Sequence, residues 1–149
     1  MIDQSNYLLY AKKFKDCQLL KQEKAEFDKI KSHELLRDKS KATTQRGKQL
    51  FNETFVSYYF AMSDFPKAYI HCVEELSVFK SRHKQMEEAP ETYIAILANT
   101  CNASINAHKY ADCLVRINEL KSLCLESNLK ITLNRKANVL ALCFSLELN

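Results

Sequence analysis

The near absence of glycine and proline constrains this chain more than any other feature of its sequence. Its 149 residues include one glycine, Gly47, and two prolines, Pro66 and Pro90. Average usage would supply about ten glycines and about seven prolines. The tight turns of β-sheets and glycine-rich phosphate-binding loops both depend on these residues. The sequence therefore predicts an all-α protein with short polar turns, and it excludes a glycine-rich nucleotide loop.

The cysteines follow the pattern of small hydrophobic residues rather than that of a metal site. None forms a Cys-x-x-Cys pair, and they lie among apolar residues at helical spacing. The first fifteen residues are charged and lack the apolar core of a leader peptide, and no apolar run approaches the ~20 residues of a membrane span. We therefore expect reduced thiols in a cytoplasmic protein without a metal, a cofactor or a membrane partner. The cysteines are Cys17, Cys72, Cys101, Cys113, Cys124 and Cys143.

Charge divides the chain into two segments. Residues 1–48 contain 12 Lys+Arg and 7 Asp+Glu, whereas residues 49–149 contain 10 and 11. Apolar residues spaced by three and four in the first segment predict a long charged amphipathic helix, or two helices broken near His33. The polar stretch 38–48 contains Gly47 and is the candidate hinge. We predict a basic helical segment over residues 1–48 and a helical domain over residues 49–149.

The second segment contains an internal repeat with a shift of 45 residues. Phe65 and Ala68, at the start of one helical stretch, correspond to Tyr110 and Cys113 in another. An aromatic residue followed three positions later by a small one, between apolar helical stretches, indicates helical hairpins that repeat along the chain. Residues 131–148 add a fifth, strongly apolar helix to this segment.

These hairpins resemble the tetratricopeptide repeat. In that family an aromatic and a small residue begin the second helix of each pair, as Phe65 with Ala68 and Tyr110 with Cys113 do here. The first-helix positions are matched by Phe55, Tyr59 and Cys101, and Leu140, Ala141 and Phe144 are similar to the start of a third unit. The resemblance covers residues 49–149 and implies about two and a half units stacked in a right-handed superhelix.

The chain departs from the family pattern in its spacing and at several positions. The period is 45 residues, whereas the family repeats every 34. Val56 occupies a position that is usually small, and Thr100 and Ser104 stand where a leucine and an aromatic residue are usual. A generic array of helical hairpins is therefore the alternative interpretation.

The resemblance also implies a concave surface, lined by the first helix of each pair, that binds extended peptides. Transfer of that layout selects Glu53, Ser57 and Phe60 in the first unit, Asn99, Asn102 and Asn106 in the second, and Arg135 and Asn138 in the third. Asparagine supplies both a donor and an acceptor, which suits a peptide backbone. The alternative is an ordinary polar helix face.

No constellation of residues predicts catalysis. His71 and Cys72 are neighbours, but adjacent residues of a helix point about 100° apart, so they do not form a nucleophile–base pair. Glu74 and Glu75 are expected on a solvated helix face, without the apolar pocket that raises a carboxyl pKa. We therefore predict a non-catalytic scaffold that binds a protein or peptide partner.

Two other functions stay open at this point. The repeats could form the sensory or regulatory segment of a larger signalling or transcription-control protein. A helical nucleic-acid binder acting through residues 12–48 is the weaker alternative, because acidic residues interrupt the lysines at spacings typical of helix stabilisation.

The apolar character of the fifth helix predicts an additional contact. Solenoids normally end in a polar cap. The sequence thus predicts either a homodimer through this helix or continuation of the array, with this chain being a part of a longer protein. The residues expected to form the apolar surface are Val139, Leu142, Phe144, Leu146 and Leu148.

Overall fold

The computed structural model describes residues 24–82, 84–125 and 130–147. All regular elements within these ranges are helical, which confirms the predicted all-α class. Cys17, the part of the basic segment before residue 24, and Leu148 lie outside these ranges. The α-helices are α1 (Lys24–Lys31), α2 (Glu34–Arg37), α3 (Gln45–Ala61), α4 (Phe65–Lys80), α5 (Gln85–Glu88), α6 (Pro90–Asn106), α7 (Tyr110–Leu125) and α8 (Leu133–Glu147), with a short 3-10 helix at Lys39–Lys41.

Packing divides the chain into two compact units, which meet in the sequence between Val78 and Phe79. The first unit contains α1, α2, α3 and most of α4, and the second contains α5 to α8. The predicted boundary at residues 48 and 49 describes a change in composition and charge, and it stays a prediction.

The described part of the basic segment forms two short helices. The hydroxyl of Ser32 donates to the carbonyl oxygen of Lys29 at 2.7 Å, and the Ser32 amide donates to Asp28 at 3.0 Å. Serine competes in this way with the regular helical ladder and favours a helix end. The break at Ser32 and His33 agrees with the two-helix form of the prediction.

Helix α3 begins at Gln45, so Gly47 lies in the first turn of this helix. Thr44 caps this helix, and its Oγ1 accepts a hydrogen bond from the Gly47 amide at 2.9 Å. A Cβ atom at position 47 would stand only 3.0 Å from that oxygen. Glycine therefore permits the close approach of the cap. The candidate hinge at residues 38–48 includes the first turn of α3, and its role as a hinge stays a prediction.

The hairpins α3–α4 and α6–α7 repeat with a shift of 45 residues at both ends of every helix. Helices α3 and α6 contain 17 residues each, and helices α4 and α7 contain 16 each. The turns correspond as well, because Ser63 and His108 adopt positive φ angles of 54° and 58°. The repeat length predicted from the sequence is thus confirmed for these two hairpins.

Pro66 and Pro90 lie at helix starts, and Asp64 caps the helix that contains Pro66. Pro90 is the first residue of α6, and Pro66 lies in the first turn of α4, where a missing amide proton removes no helical hydrogen bond. Asp64 Oδ1 accepts a hydrogen bond from the Lys67 amide at 3.3 Å. The turns are thus fixed by local chemistry that the sequence contains.

The core of the second unit lies between α6, α7 and α8. Ile94, Leu97, Ile117 and Leu120 are fully buried, and Val139 and Cys143 bring α8 into the same core. Tyr110 and Cys113 near the start of α7 line one cavity with Leu146 and Glu147 at the end of α8, which agrees with antiparallel packing of these two helices. Helix α8 therefore covers α7 and brings its own first turn to the start of α6.

Candidate functional site

The three predicted asparagines of α6 form one exposed face. Asn99, Asn102 and Asn106 follow one another at intervals of three and four, and all three are exposed. Asn106 Nδ2 donates to the Asn102 backbone oxygen at 2.8 Å and to Asn102 Oδ1 at 2.9 Å. This pairing orients two side-chain amides and leaves the Asn102 amide nitrogen and the Asn106 amide oxygen for solvent or a ligand.

Arg135 lies at the end of this face, not beside the asparagines. Its Nε atom stands 2.9 Å from Glu91 Oε2, so it pairs α8 with the first turn of α6. Glu91 precedes Asn102 by eleven residues, about three turns, which places it on nearly the same helix face and about 16 Å away along the axis. Asn138 is exposed one turn after Arg135. The asparagines and the Glu91–Arg135 pair together form one polar strip on the second unit, which we call the α6 strip.

The remaining predicted groove residues lie in the first unit, on α3. Glu53 and Phe60 are half-buried, and Phe60 packs against Phe65 with the ring centroids 5.9 Å apart. Ser57 is only 7% exposed, and its Oγ atom has no hydrogen-bond partner among the described residues. As placed, Ser57 and Phe60 offer a ligand much less surface than the asparagines of α6 do.

Aromatic rings line an open cleft of about 630 Å³ in the first unit. The rings of Phe55, Tyr59 and His71 are close to parallel, with centroid separations of 4.9 Å for Phe55–His71 and 5.6 Å for Tyr59–His71. Phe51 contacts Phe55 at 4.8 Å, and Leu36 from α2 closes the apolar wall. We call this the aromatic cleft.

Hydrogen bonds fix the imidazole of His71 within the aromatic cleft. Asn52 is fully buried, and its Nδ2 donates to the Lys48 carbonyl oxygen at 3.0 Å. Its Oδ1 must therefore be the group that faces His71 Nδ1 at 3.0 Å, so Nδ1 carries the proton and donates. Burial lowers the pKa of His71, a shift that the nearby charge of Glu74 opposes and that of Lys39 reinforces. In the neutral ring, Nε2 is consequently an acceptor.

Charged side chains surround the rim of the aromatic cleft. Lys39 pairs with Glu74 at 2.6 Å, and Asp28 accepts a hydrogen bond from the Tyr58 hydroxyl at 2.8 Å. Lys31 lies over the Tyr58 ring at 5.1 Å from its centroid. Arg37 is exposed and forms no ion pair with any residue that the structure describes. Lys41 pairs with Glu34 at 2.5 Å. Three lysines of the predicted nucleic-acid segment, Lys31, Lys39 and Lys41, thus contact other side chains of this chain.

A charged cluster lies inside the second unit. The buried hydroxyl of Tyr93 donates to Glu119, which also pairs with Lys80 at 2.5 Å and approaches Arg116 at 3.5 Å. Burial would raise the pKa of Glu119, but the hydrogen bonds from Lys80 and Tyr93 outweigh it and hold that pKa below its ordinary value. The cluster has the geometry of a structural ion pair rather than of a proton-transfer site.

Glutamates and cysteines differ in how well their positions were anticipated. Glu75 is only 3% exposed, so the prediction that it lies on a solvated helix face was wrong.

The described cysteines are buried and free, as their spacing predicted, namely Cys72, Cys101, Cys113, Cys124 and Cys143. Burial raises the pKa of each of these thiols, to about 12 for Cys101. Such thiols are poor nucleophiles at neutral pH.

The aromatic cleft is the site that sequence reasoning missed. Its walls come from α1, α2, α3 and α4, and no short motif connects residues 28 to 74. The available signal was the run of aromatic residues on α3, of which Phe55 and Tyr59 were interpreted as positions of a repeat helix and Phe60 as a groove residue. His71 carried a second signal, because it lies at helical spacing among apolar residues.

Comparisons with protein-family models, with curated proteins and with solved structures give no match to this chain. No helix in the described ranges combines the length and the apolarity that a bilayer span requires. Within the same ranges, no three His, Cys, Asp or Glu side chains are grouped so that they could hold a metal ion.

Proposed function

We propose that this protein is a non-catalytic interaction module, built from tetratricopeptide-like hairpins, that binds an extended peptide on the α6 strip. The observation that carries the proposal is the exposed row of Asn99, Asn102 and Asn106 on one helix. These residues span about 10 Å along the axis, which matches about three residues of an extended peptide. Backbone recognition of this kind needs donors and acceptors in alternation, and side-chain amides supply both.

The hairpin geometry supports the tetratricopeptide-like assignment. The two hairpins share their helix lengths, their positive-φ turn residue and their buried small residue, Ala68 in one and Cys113 in the other. Right-handed stacking of the hairpins is the part of the proposal that rests on the resemblance alone. A cytoplasmic location is also part of the proposal, and the free state of the buried cysteines supports it.

The Glu91–Arg135 pair places charged groups at one end of the α6 strip. An arginine that is already paired with one carboxylate can exchange it for the carboxylate of a ligand. We therefore expect the preferred peptide to place an acidic group near Arg135 and its backbone along the asparagines. The half-exposed state of Arg135 leaves this exchange sterically open.

The test uses the full chain as bait for a peptide display library, followed by calorimetry with the selected peptides. Asn102→Ala should weaken binding about tenfold, because a backbone group of the peptide is then left without its hydrogen bond. Asn118→Ala is the matched control, since Asn118 is an exposed asparagine on α7 away from the strip. Peptides that bind both variants and the parent chain equally well would contradict the proposal.

A further inference from the structure

We propose that the aromatic cleft of the first unit is a binding site for a small planar aromatic anion, either an aromatic carboxylate or an aromatic phosphate ester. This inference is independent of the α6 strip, which belongs to the second unit. It rests on the size of the cleft, on the rings that line it and on the distribution of charge at its rim.

Size and lining favour a small flat molecule. The volume of about 630 Å³ lies within the range of about 300–1,000 Å³ that is typical of small-molecule sites. The side chains of Phe51, Phe55 and Tyr59 are nearly buried but still contribute to the wall, and Leu36 faces them from α2. Flat aromatic ligands gain most from walls of this kind, because offset and edge-to-face ring contacts add to the burial of apolar area.

The charged side chains at the rim of the cleft favour an anionic ligand over a cationic one. Lys31, Arg37 and Lys39 line the cleft together with Asp28 and Glu74. Both carboxylates are already engaged, Asp28 by the Tyr58 hydroxyl and Glu74 by Lys39. A cationic ligand would meet three cationic side chains and two carboxylates that already have partners. An anion, by contrast, meets Arg37, which has no ion pair in the described part of the chain, and Lys31, which is held only over aromatic faces.

The wider surroundings reinforce this sign of charge. Residues 24–48, which supply one wall of the cleft, contain eight Lys+Arg and four Asp+Glu. A surplus of one sign around a concave, partly apolar wall raises the local concentration of the opposite ion. The carboxylate of Glu34 on α2 interacts electrostatically with Arg37, but it is already paired with Lys41.

His71 provides one polar atom on the aromatic wall of the cleft. Because Nδ1 is fixed by Asn52, Nε2 is the nitrogen of this ring that remains for a ligand. The ring is also held in place by its contacts with Phe55 and Tyr59, so a ligand meets a preorganised wall. A hydroxyl or acidic proton on the aromatic ligand would find its acceptor at Nε2.

The test is a titration of the ¹⁵N-labelled full chain with three probes of one shape, namely 2-naphthoate, 2-naphthyl phosphate and neutral 2-naphthamide. At least one anion should saturate the site, with amide shifts at Leu36, Phe55 and His71, and should bind about tenfold more tightly than the amide. The tighter of the two anions identifies the head group. Equal binding of all three probes, shifts confined to the second unit, or no saturation would each overturn the proposal.

Variants at the rim complete the experiment. Arg37→Gln should weaken the anion about tenfold and leave the neutral amide unchanged, because an exposed arginine contributes charge and not core packing. Arg82→Gln, at an exposed arginine that does not line the cleft, is the matched control. If Arg37→Gln lowers the melting temperature, Lys31→Gln replaces it and the same loss is expected. Unchanged anion affinity in a folded variant of either position would overturn the assignment.

Discussion

The Sγ atom of Cys113 on α7 lies 3.5 Å from the backbone carbonyl oxygen of Cys101 on α6. The same device recurs one helix later, where Cys143 on α8 stands 4.0 Å from the carbonyl oxygen of Ile117. A thiol is small and only a weak donor, so it lets the backbones approach while giving a carbonyl oxygen a second partner. The small positions of the repeat are therefore points of close helix approach.

Overpacking of these positions should destabilise the protein. Ala68 is fully buried and Cys113 is nearly so. Ala68→Leu and Cys113→Leu should each lower the free energy of unfolding by about 1–3 kcal/mol, because the added methyl groups have no space in a packed helix crossing. Urea unfolding followed by circular dichroism measures this difference.

The control for overpacking is Ala111→Leu, at an exposed alanine in the first turn of α7. Its free energy of unfolding should stay within about 0.5 kcal/mol of that of the parent chain. Equal stability of Cys113→Leu and Ala111→Leu would mean that α6 and α7 do not approach closely at Cys113.

The buried thiols should be chemically silent in the folded state. In a Cys17→Ser variant, the remaining cysteines are Cys72, Cys101, Cys113, Cys124 and Cys143, all of which are buried. Burial raises the pKa of Cys101 to about 12, so only about one thiol in ten thousand is ionised at about pH 8. Ellman's reagent should react with none of them before unfolding and with all of them in guanidinium chloride. Rapid labelling of any of these thiols in the native protein would contradict the assigned packing.

The Glu119 cluster should make stability depend on acid. Because the pKa of Glu119 is lower in the folded protein than its ordinary value of 4.5, its ionised form stabilises the fold. That stabilisation is fully present above about pH 4.5 and is lost as the pH falls through the folded pKa. Glu119→Gln should consequently flatten the dependence of the unfolding free energy on pH in the acid range.

Tyr93→Phe tests the hydrogen bond within that cluster. The variant should lose about 1–3 kcal/mol of stability near neutral pH, since hydrogen bonds to charged groups are worth this much. Glu87→Gln, at an exposed glutamate on α5, should leave both the stability and its acid dependence unchanged. Parallel pH curves for Glu119→Gln and the parent chain would show that Glu119 gains nothing from Lys80 and Tyr93.

Local signals in the sequence were sufficient for the hairpins and insufficient for the sites. Pro66, Pro90 and the cap Asp64 act through their immediate neighbours, so their roles could be predicted. The helical position of Gly47 was not predicted, because it depends on the Thr44 hydroxyl, which caps α3 and lies 3.0 Å from the place of the missing Cβ.

Contacts between distant residues account for most of what was not predicted. Lys80, Tyr93 and Glu119 are distant from one another in the sequence and meet only in the folded second unit, and none of their spacings is distinctive. Arg135 was predicted to stand beside the asparagines, but an ion pair with Glu91 holds it at the start of α6. Charge pairing across helices follows the packing register, which the hydrophobic pattern alone does not fix.

The apolar edge formed by α7 and α8 predicts self-association. Val139 and Cys143 are buried within the second unit, but Phe144 is 58% exposed and Leu114 is 53% exposed. Leu114 lines a small cavity together with the exposed Tyr110 and the half-buried Leu146, so α7 and α8 both contribute apolar side chains there. Exposed apolar clusters of this kind typically mark an interface. Light scattering over a wide range of protein concentration should therefore detect a dimer.

Charge substitutions at the edge formed by α7 and α8 test whether the dimer forms through it. Leu114→Glu and Phe144→Glu should return the protein to a monomer, because a carboxylate buried in an apolar interface has no partner to offset its lost hydration. Ile70→Glu is the control, since Ile70 is an equally exposed aliphatic residue of the first unit. A parent chain that stays monomeric at every concentration, with α8 protected from hydrogen exchange, would show that the edge needs no second copy. Continuation of the helical array would then be the remaining explanation for its apolar character.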